Sequence, residues 1–260
     1  QLSVAVDPKL LFSDYQYVSG TSETLSNYFD LLKERIIRDN GEHGKLLDVG
    51  SNDGTFLEKF KGTKWSAIGV DPASNLVADA LSRNVKTIPA FFDREISKFL
   101  AKDFDVLVAM NVFAHTSQPI EILNTMSEII NSNGRVYIQT SQADMFLNSE
   151  FDTIYHEHIS FFNVRSMKAL LKRSGWSLIN VTLENIHGNS YLWEIQRDQS
   201  NVVLSLEREI EEEKRGLYAI DFYTSFANNV QNLVSEVVEK INNLKSQGYV
   251  LASYGAAAKG

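Results

Sequence analysis

Apolar and polar residues alternate along the chain in two rhythms, one helical and one typical of strands. In residues 22–40, apolar positions recur every three or four residues, which predicts an amphipathic helix with Ser22 or Thr21 as its N-cap. From Lys45 onward, short apolar runs alternate with helical stretches. The runs that predict strands are KLLDVG, SAIGVD, VKTIPA, FDVLVAM and GRVYIQT, and the helices between them begin near Thr55, Ser74, Arg94 and Pro119. This alternation predicts an α/β fold, with a mostly parallel sheet covered by helices on both faces.

The pattern changes after this alternating region. Residues 165–175 predict another helix, and WSLINVTLE and NSYLWEIQR, joined through NIHG, predict an antiparallel hairpin at the sheet edge. Beyond Asn201, apolar residues at helical spacing predict a long helix with Gly248 as its C-cap, its apolar stripe packed on the body of the protein or on a partner subunit. The closing segment YVLASYGAAAKG has the pattern of a buried strand that leads into a loop of small residues.

Composition narrows the classes of protein that remain. The 260 residues suffice for one large α/β domain and a fragment of another, and the net charge of −8 argues against a nucleic-acid-binding protein that neutralises phosphates. The sequence has no cysteine, which excludes disulfides and thiolate zinc sites. No apolar run approaches the roughly 20 residues needed to span a bilayer, and no signal peptide is visible at the start. We therefore expect a cytoplasmic protein without a membrane partner.

The stretch LLDVGSNDGTFLEKF carries the clearest cofactor pattern. An apolar strand ends at Asp48 and Gly50, and Ser51, Asn52 and Gly54 then turn the chain into a helix. Glycines there allow a ligand to approach the backbone closely, and a helix N-terminus favours lone pairs or negative charge. The carboxylates on either side of the glycines would repel a pyrophosphate, but they suit a ligand with a cationic amino acid and a sulfonium.

A further carboxylate follows the second strand. Asp71 is placed to hold two ribose hydroxyls, by the geometry of dinucleotide-binding folds. Asn111 follows the fourth strand and faces the same crevice, and Pro72 and Phe91 complete the expected cofactor site. The combination resembles the class I S-adenosylmethionine-dependent methyltransferases, with S-adenosylhomocysteine as the product. A Rossmann-like domain that binds a nicotinamide, or no nucleotide, is the alternative.

Two histidines flank a glutamate in the segment FDTIYHEHISFFN. A metal site there would use His156 and His158 with His115 or His187, but the sequence contains no HExxH pattern, and we expect no metal. A histidine that is satisfied in an ordinary loop is the simplest alternative.

An acid–base site needs fewer coincidences in the same segment. A positioned imidazole can remove a proton from an acidified carbon, and Glu157 or Tyr155 could orient it or hydrogen-bond a developing oxyanion. Aromatic neighbours would strengthen these interactions by burying them. Those neighbours are Phe151, Phe161 and Phe162.

Six segments resemble one enzyme family in the order in which they occur. These are DPKLLFSDYQYVSG, LDVGSNDGTFL, AHTSQP, FDTIYHEHISFFN, IHGNSY and SYGAAAKG, and they resemble the nucleotide-sugar C-methyltransferases, which include the 3-C-methyltransferases of deoxysugar antibiotics. The resemblance implies a cysteine-rich zinc domain before this region and a Rossmann-like domain after it. We therefore expect a fragment that lacks the zinc domain and most of the C-terminal domain, with zinc only in that missing part.

The resemblance also implies a reaction and a set of roles. A base removes a proton beside the ketone of a nucleotide-linked 4-keto-deoxyhexose, and the enolate attacks the sulfonium methyl group. His158 would be the base, supported by Tyr155 and Glu157, while His115 and Tyr17 would face the sugar. The far wall and the phosphate contact would be supplied by His187, Gly188, Asn189 and Lys259.

The predicted organisation has three parts. Residues 1–40 form an N-terminal segment and helix over the active site, residues 41–200 the S-adenosylmethionine-binding domain, and residues 201–260 a helical region with the start of a truncated Rossmann-like domain. An O- or N-methyltransferase on a sugar or small metabolite, and a binding module without catalysis, stay open as alternatives. The oligomeric state also stays open.

Overall fold

The computed structural model describes residues 2, 6–141, 144–197 and 206–253, with the backbone alone at residue 206. Within them lies a seven-stranded sheet of order β3-β2-β1-β4-β5-β7-β6. Its strands are β1 (His43–Val49), β2 (Lys64–Asp71), β3 (Thr87–Pro89), β4 (Phe104–Met110), β5 (Ile130–Thr140), β6 (Trp176–Glu184) and β7 (Ser190–Arg197). The helices are α1 (Pro8–Phe12), α2 (Glu23–Asn40), α3 (Thr55–Glu58), α4 (Ser74–Ser82), α5 (Arg94–Ser97), α6 (Pro119–Ile129), α7 (Val164–Arg173), α8 (Leu206–Lys214) and α9 (Ile220–Ser246).

The sheet has the predicted α/β architecture of a class I methyltransferase. Strands β1 to β5 run parallel, and the hairpin of β6 and β7 joins through β7, which pairs antiparallel with β5. The chain order reverses on the two sides of β1, whose neighbours are β2 and β4. In such sheets, a crevice opens beyond the carboxyl ends of the strands at this point of reversal.

The core lies on both faces of the sheet, because alternate residues of each parallel strand point to opposite sides. On one face, Leu46 of β1 packs with Leu32 and Ile36 of α2. On the other face, Leu47 packs in the cluster that contains Met126 of α6. Both faces of β1 are therefore buried, which explains why its sequence is a continuous apolar run rather than an alternating one.

Helix α8 is fixed to the body by a buried carboxylate. Glu212 accepts hydrogen bonds from the backbone N–H of Val164 (2.8 Å) at the start of α7 and from the hydroxyl of Tyr191 (2.9 Å) in β7. Burial raises the pKa of Glu212, and these donors oppose that rise. The contact joins the helical region to the sheet.

Helix α9 contacts the body of the protein near its start. Near its start, the ring of Phe226 lies 5.1 Å from that of Phe146. Further along, however, Leu233, Val237 and Ile241 are 40–49% exposed. The stripe does not pack on the described body over this stretch, and packing on a partner subunit stays a prediction. The C-cap is Gln247, and Gly248 follows it with φ +86°.

The buried strand predicted at the end of the chain is not formed in residues 249–253. Tyr249 is 61% and Val250 is 98% exposed. A strand needs a neighbour for its backbone N–H and C=O groups, and the described residues place no strand beside this segment. The following residues, with Lys259, lie outside the described residues, as does the 198–205 segment where the predicted boundary at 200/201 falls. No helix of the described chain is apolar over enough length to cross a bilayer.

Candidate functional site

A cavity of about 980 Å³ opens at the carboxyl ends of the parallel strands. Its walls come from residues before α2, from the turn after β1, from the ends of β2 and β4, and from the segment before α7. This is the crevice that the strand order predicts. The predicted cofactor residues on its walls are Asp48, Gly50, Ser51, Asn52, Asp71, Pro72, Phe91 and Asn111.

Two glycines shape the turn after β1 in different ways. Gly50 has φ +71°, and a Cβ there would lie 2.5 Å from Cγ2 of Val112, so the backbone lines the cavity where no side chain fits. Gly54 has φ +77°, and a Cβ there would lie 2.7 Å from Val85. Gly54 is not on the cavity wall, and its predicted place in the cofactor site stays a prediction. It allows α3 to begin close against α4 and the chain before β3.

Two buried carboxylates face the cavity. Asp71 accepts hydrogen bonds from the backbone N–H groups of Asn52 (2.7 Å) and Ala73 (2.8 Å) through different oxygens. Burial raises the pKa of Asp71, and these two donors oppose the rise. Burial, and then the charge of Asp71, raise the pKa of Asp48 well above its usual value. A ligand that brings positive charge or hydroxyl donors would relieve both carboxylates.

Asn111 supplies an acceptor that no described side chain uses. Its backbone has φ +57°, and its N–H donates to Gln139 O (3.1 Å). Its side-chain Oδ1 is buried without a hydrogen-bond partner among the described residues. A buried acceptor of this kind costs about 1–3 kcal/mol unless a donor satisfies it, so the wall fits a ligand with hydrogen-bond donors. The Oγ of Ser51 is also buried without a hydrogen-bond partner among the described residues. It lies against Gly69, where a Cβ would be 2.2 Å away.

His158 has a defined tautomer. The side chain is buried, and Nδ1 lies 2.9 Å from the carbonyl oxygen of Thr153. Since a carbonyl can only accept, Nδ1 carries the proton and Nε2 is the basic nitrogen of the neutral ring. Thr153 and His158 both line the cavity. The hydrogen bond to Thr153 therefore fixes the orientation of the ring at the cavity wall.

His115 lies beside His158 and is neutral. The two ring centroids are 5.1 Å apart, and the ring of Phe12 lies 5.5 Å from that of His115. Burial, and then the neighbouring His158, lower the pKa of His115 to about 3. His115 therefore offers a neutral imidazole to the cavity that it lines.

Glu157 holds two tyrosines rather than standing on the cavity wall. Its carboxylate accepts hydrogen bonds from the hydroxyls of Tyr15 (3.0 Å) and Tyr155 (3.4 Å). Burial, and then Glu157, raise the pKa of Tyr155 to about 12. We expected Glu157 or Tyr155 to orient His158, but the backbone carbonyl of Thr153 binds Nδ1 of the ring. Tyr15 was not predicted, although its spacing from Tyr17 places both on one face of an extended chain, and both line the cavity.

The aromatic surroundings predicted for the histidines are wrong. Phe151 is 39% exposed, while Phe161 and Phe162 line a separate cavity of about 120 Å³ beside Glu212. The segment turns before these two rings, so they point toward α8. The aromatic contacts to the histidine pair come instead from Tyr155, whose ring lies 4.6 Å from that of His158, and from Phe12, far away in sequence.

The hairpin loop contributes one of its three predicted residues to the cavity. His187, with φ +52°, lines the wall, and burial lowers its pKa. Gly188 lies against Glu150, and the amide of Asn189 donates to Asp144 (2.9 Å), so neither lines the cavity. The described residues contain no group of three or more His, Asp or Glu side chains placed to hold a metal ion.

Positive charge is scarce among the described residues of the wall. Among the described lining residues, Arg94 is the one arginine or lysine, and its Nε lies 3.5 Å from Glu128 and 3.9 Å from Glu121. These two carboxylates partly neutralise the charge of Arg94. The cavity walls thus offer little that would bind a diphosphate.

Comparison with known proteins points to methyltransferases. Residues 22–181 match the family model described as a methyltransferase domain, and residues 185–260 match a C-methyltransferase C-terminal domain. The C-methyltransferase NovU of Streptomyces niveus is 29% identical over 266 residues, which cover 98% of this chain and 63% of the relative. A tRNA U34 carboxymethyltransferase of Dichelobacter nodosus is 26% identical over 144 residues, covering 51% of this chain and 43% of the relative. The chain thus spans less than two thirds of the length of either curated relative.

Solved structures share the fold at low sequence identity. The PH0226 protein from Pyrococcus horikoshii OT3 aligns with a TM-score of 0.52 and 16% identity, covering 74% of this chain and 97% of that one. Magnesium protoporphyrin IX methyltransferase from Synechocystis PCC 6803, solved with bound S-adenosylhomocysteine, aligns with a TM-score of 0.52 and 12% identity, covering 66% and 83%. These similarities establish the architecture of the sheet and its helices.

Proposed function

The chain belongs to the methyltransferase domain family, whose model covers more than half of it, and on this premise we propose that it methylates a carbon atom with S-adenosylmethionine as donor. The match of residues 185–260 to a C-methyltransferase C-terminal domain supports carbon as the acceptor. The similarity to NovU over nearly the whole chain supports the same choice.

The chemistry of the walls fits this donor. Each oxygen of Asp71 accepts one backbone N–H and keeps a lone pair that can accept from a ribose hydroxyl. Asp48 lines the cavity close to the turn at Gly50, where a bound cationic amino acid or sulfonium would favour its ionised form. The unsatisfied Oδ1 of Asn111 accepts a donor from the same ligand, and Phe91 offers an apolar face. When bound, the donor supplies an electrophilic methyl group.

His158 is the residue that would generate the nucleophile. On a nucleotide-linked 4-keto-deoxysugar, Nε2 would take the proton from the carbon beside the ketone, and the electron pair would delocalise onto the ketone oxygen as an enolate. His115 is neutral, and Tyr155 keeps its proton at physiological pH, so both can stabilise that oxygen without competing for the carbon-bound proton. The hydrogen bond from Nδ1 of His158 to Thr153 is the observation that carries this mechanism.

The nucleotide portion would lie mostly outside the cavity. Arg94 is the one described Lys or Arg on its walls, and two carboxylates already flank it. In this proposal the phosphates are held by the SYGAAAKG segment with Lys259, and the sugar alone enters between Tyr17 and His187. Gly188 and Asn189 support the loop that carries His187 rather than touching the sugar.

The same scarcity of positive charge favours one alternative, methylation of oxygen or nitrogen on a substrate without phosphates. The product distinguishes the two. With methyl-labelled ¹³C donor and a nucleotide-linked 4-keto-deoxysugar, we expect a new ¹³C signal at the chemical shift of a methyl group on carbon. A signal at the shift of a methyl on oxygen or nitrogen would overturn the proposal. Absence of binding of the donor in calorimetry at millimolar concentration would favour a binding module instead.

A further inference from the structure

Residues 8–21, which we call the strap, cross the mouth of the cavity before α2 begins. Five of them line the cavity, namely Pro8, Phe12, Tyr15, Tyr17 and Ser19. No residue of the strap is buried. Upstream, the backbone N–H of Leu2 donates to Ile159 O (2.7 Å) next to the histidine segment. Hydrogen bonds therefore contribute to the position of the strap, beside the contact of Phe12 with His115.

Asn75, in the first turn of α4, binds the strap at two points. Its Oδ1 accepts the backbone N–H of Tyr15 (3.2 Å), and its Nδ2 donates to the carbonyl of the same residue (2.8 Å). The side-chain amide thus pairs with one residue of the strap as a neighbouring strand would. The backbone N–H of Ser74 adds a bond to Ser13 O (3.1 Å).

Asn52, in the turn after β1, binds the strap in a similar way, and we call the side chains of Asn75 and Asn52 the two clamps. Its Oδ1 accepts the backbone N–H of Ser19 (2.9 Å), and its Nδ2 donates to Tyr17 O (3.0 Å). Next to it, Asp53 accepts the N–H of Gly20 (3.2 Å), and a Cβ on Gly20 would lie 2.6 Å from that carboxylate. The glycine lets the strap seat directly on the turn.

Both clamps stand beside the carboxylate that faces the cavity. Asp71 accepts from the backbone N–H of Asn52 itself and from that of Ala73, two residues before Asn75. Asp71 thus connects the cavity to the two places where the strap is held. The strap in turn carries Tyr15, whose hydroxyl reaches Glu157 in the histidine segment.

We propose that Asn52 and Asn75 are positioning residues that hold the strap closed and so place Tyr15 and Tyr17 on the substrate wall. The kinetic consequences rest on the proposed function, whereas the closure itself does not. Closure over an occupied donor site makes the donor bind first and slows the release of S-adenosylhomocysteine. Asn52, predicted as a cofactor residue, acts through its side chain on the strap.

The test compares two clamp variants with a matched control. Asn75→Ala removes one clamp, and Asn52→Gly removes the other while keeping a residue that accepts φ +53°. Asn131→Ala is the control. This variant also removes two side-chain amide hydrogen bonds, those from Asn131 to Asp103 and Asp105, but at the opposite end of the sheet. Hydrogen exchange of the Tyr15 and Ser19 amides and the dissociation rate of S-adenosylhomocysteine are the readouts.

We expect each variant to speed hydrogen exchange of the backbone amide that its clamp binds by about 5- to 50-fold. That amide is Tyr15 in Asn75→Ala and Ser19 in Asn52→Gly. S-adenosylhomocysteine should dissociate faster by a similar factor, and Asn75→Asp, which keeps the acceptor, should show an intermediate effect. Exchange no faster than in Asn131→Ala would overturn the proposal. If the protein does not bind S-adenosylhomocysteine, the proposed function fails, and the exchange rates alone still decide whether the clamps hold the strap.

Discussion

At the scale of single residues, one backbone carbonyl determines the chemistry of the histidine pair. Thr153 accepts from Nδ1 of His158, which leaves Nε2 as the nitrogen that the proposed mechanism uses as base, while burial keeps His115 neutral beside it. One imidazole can therefore take a proton while the other serves as a neutral hydrogen-bonding group. In the same cavity, burial raises the pKa of Asp48 and of Asp71. A ligand with positive charge or hydroxyl donors would stabilise the ionised form of both carboxylates.

The buried imidazole of His115 predicts a specific pH dependence of stability. Its pKa is about 3 in the folded protein and about 6.5 when unfolded, so the unfolded chain binds an extra proton between these values. The stabilising contribution is complete above pH 6.5 and is lost as the pH falls. At pH 5 the loss amounts to about 2 kcal/mol. Urea unfolding at pH 7.5 and 5.0 should show a smaller fall for His115→Gln than for the unchanged protein, and equal falls would contradict this assignment.

Asp71 predicts a defect in binding of the donor. Asp71→Ala should weaken S-adenosylhomocysteine binding by roughly 1–3 kcal/mol, because charge-assisted hydrogen bonds are lost. Isothermal titration calorimetry measures the change. Asp79→Ala is the control, since Asp79 is an exposed carboxylate on α4 that pairs with Arg83. Equal affinity in Asp71→Ala and Asp79→Ala would exclude Asp71 from the ligand site.

At the scale of secondary-structure elements, α2 joins the strap to the sheet. Ser22 caps the helix by accepting from the N–H of Leu25 (3.2 Å), directly after the strap ends. The helix then buries Leu32 and Ile36 against β1. The anchored helix gives the strap a fixed end, while its hydrogen bonds to Asn75 are exposed and those to Asn52 are exposed or part-buried.

Adjacent leucines in α2 provide a matched test of this packing. Leu32 is 2% exposed and Leu31 is 65% exposed. Leu32→Ala should lower the free energy of unfolding by about 2–5 kcal/mol, since it leaves a cavity in the core. Leu31→Ala should change it by less than about 0.5 kcal/mol. Similar losses in chemical denaturation for both variants would mean that α2 does not pack with the face described here.

At the scale of the whole molecule, the sequence predicted the sheet better than the surroundings of the site. Continuous apolar runs predict buried parallel strands from local pattern alone, so the alternating elements and the edge hairpin were confirmed. Contacts between distant segments leave no such local signal. Phe12 on His115, Tyr15 on Glu157 and the clamps on the strap therefore appear only in the folded chain.

Two predictions show the same limit. Helical periodicity identified α9, but periodicity does not say what covers the stripe, and residues such as Val237 are half exposed. Gly54 followed the cofactor pattern, but its close approach is to Val85 rather than to a ligand. In both cases the local conformation was predicted, and the partner was not.

The central claim is that Nε2 of His158 removes a carbon-bound proton, and exchange with deuterated solvent tests it most directly. Without methyl donor, a nucleotide-linked 4-keto-deoxysugar should take up deuterium at the carbon beside the ketone in the presence of the protein. His158→Gln should lower this exchange and the turnover by about 10²–10⁴-fold. His156→Gln, at a neighbouring imidazole that is 55% exposed, should leave both near normal. Exchange that persists in His158→Gln at the normal rate would contradict the account.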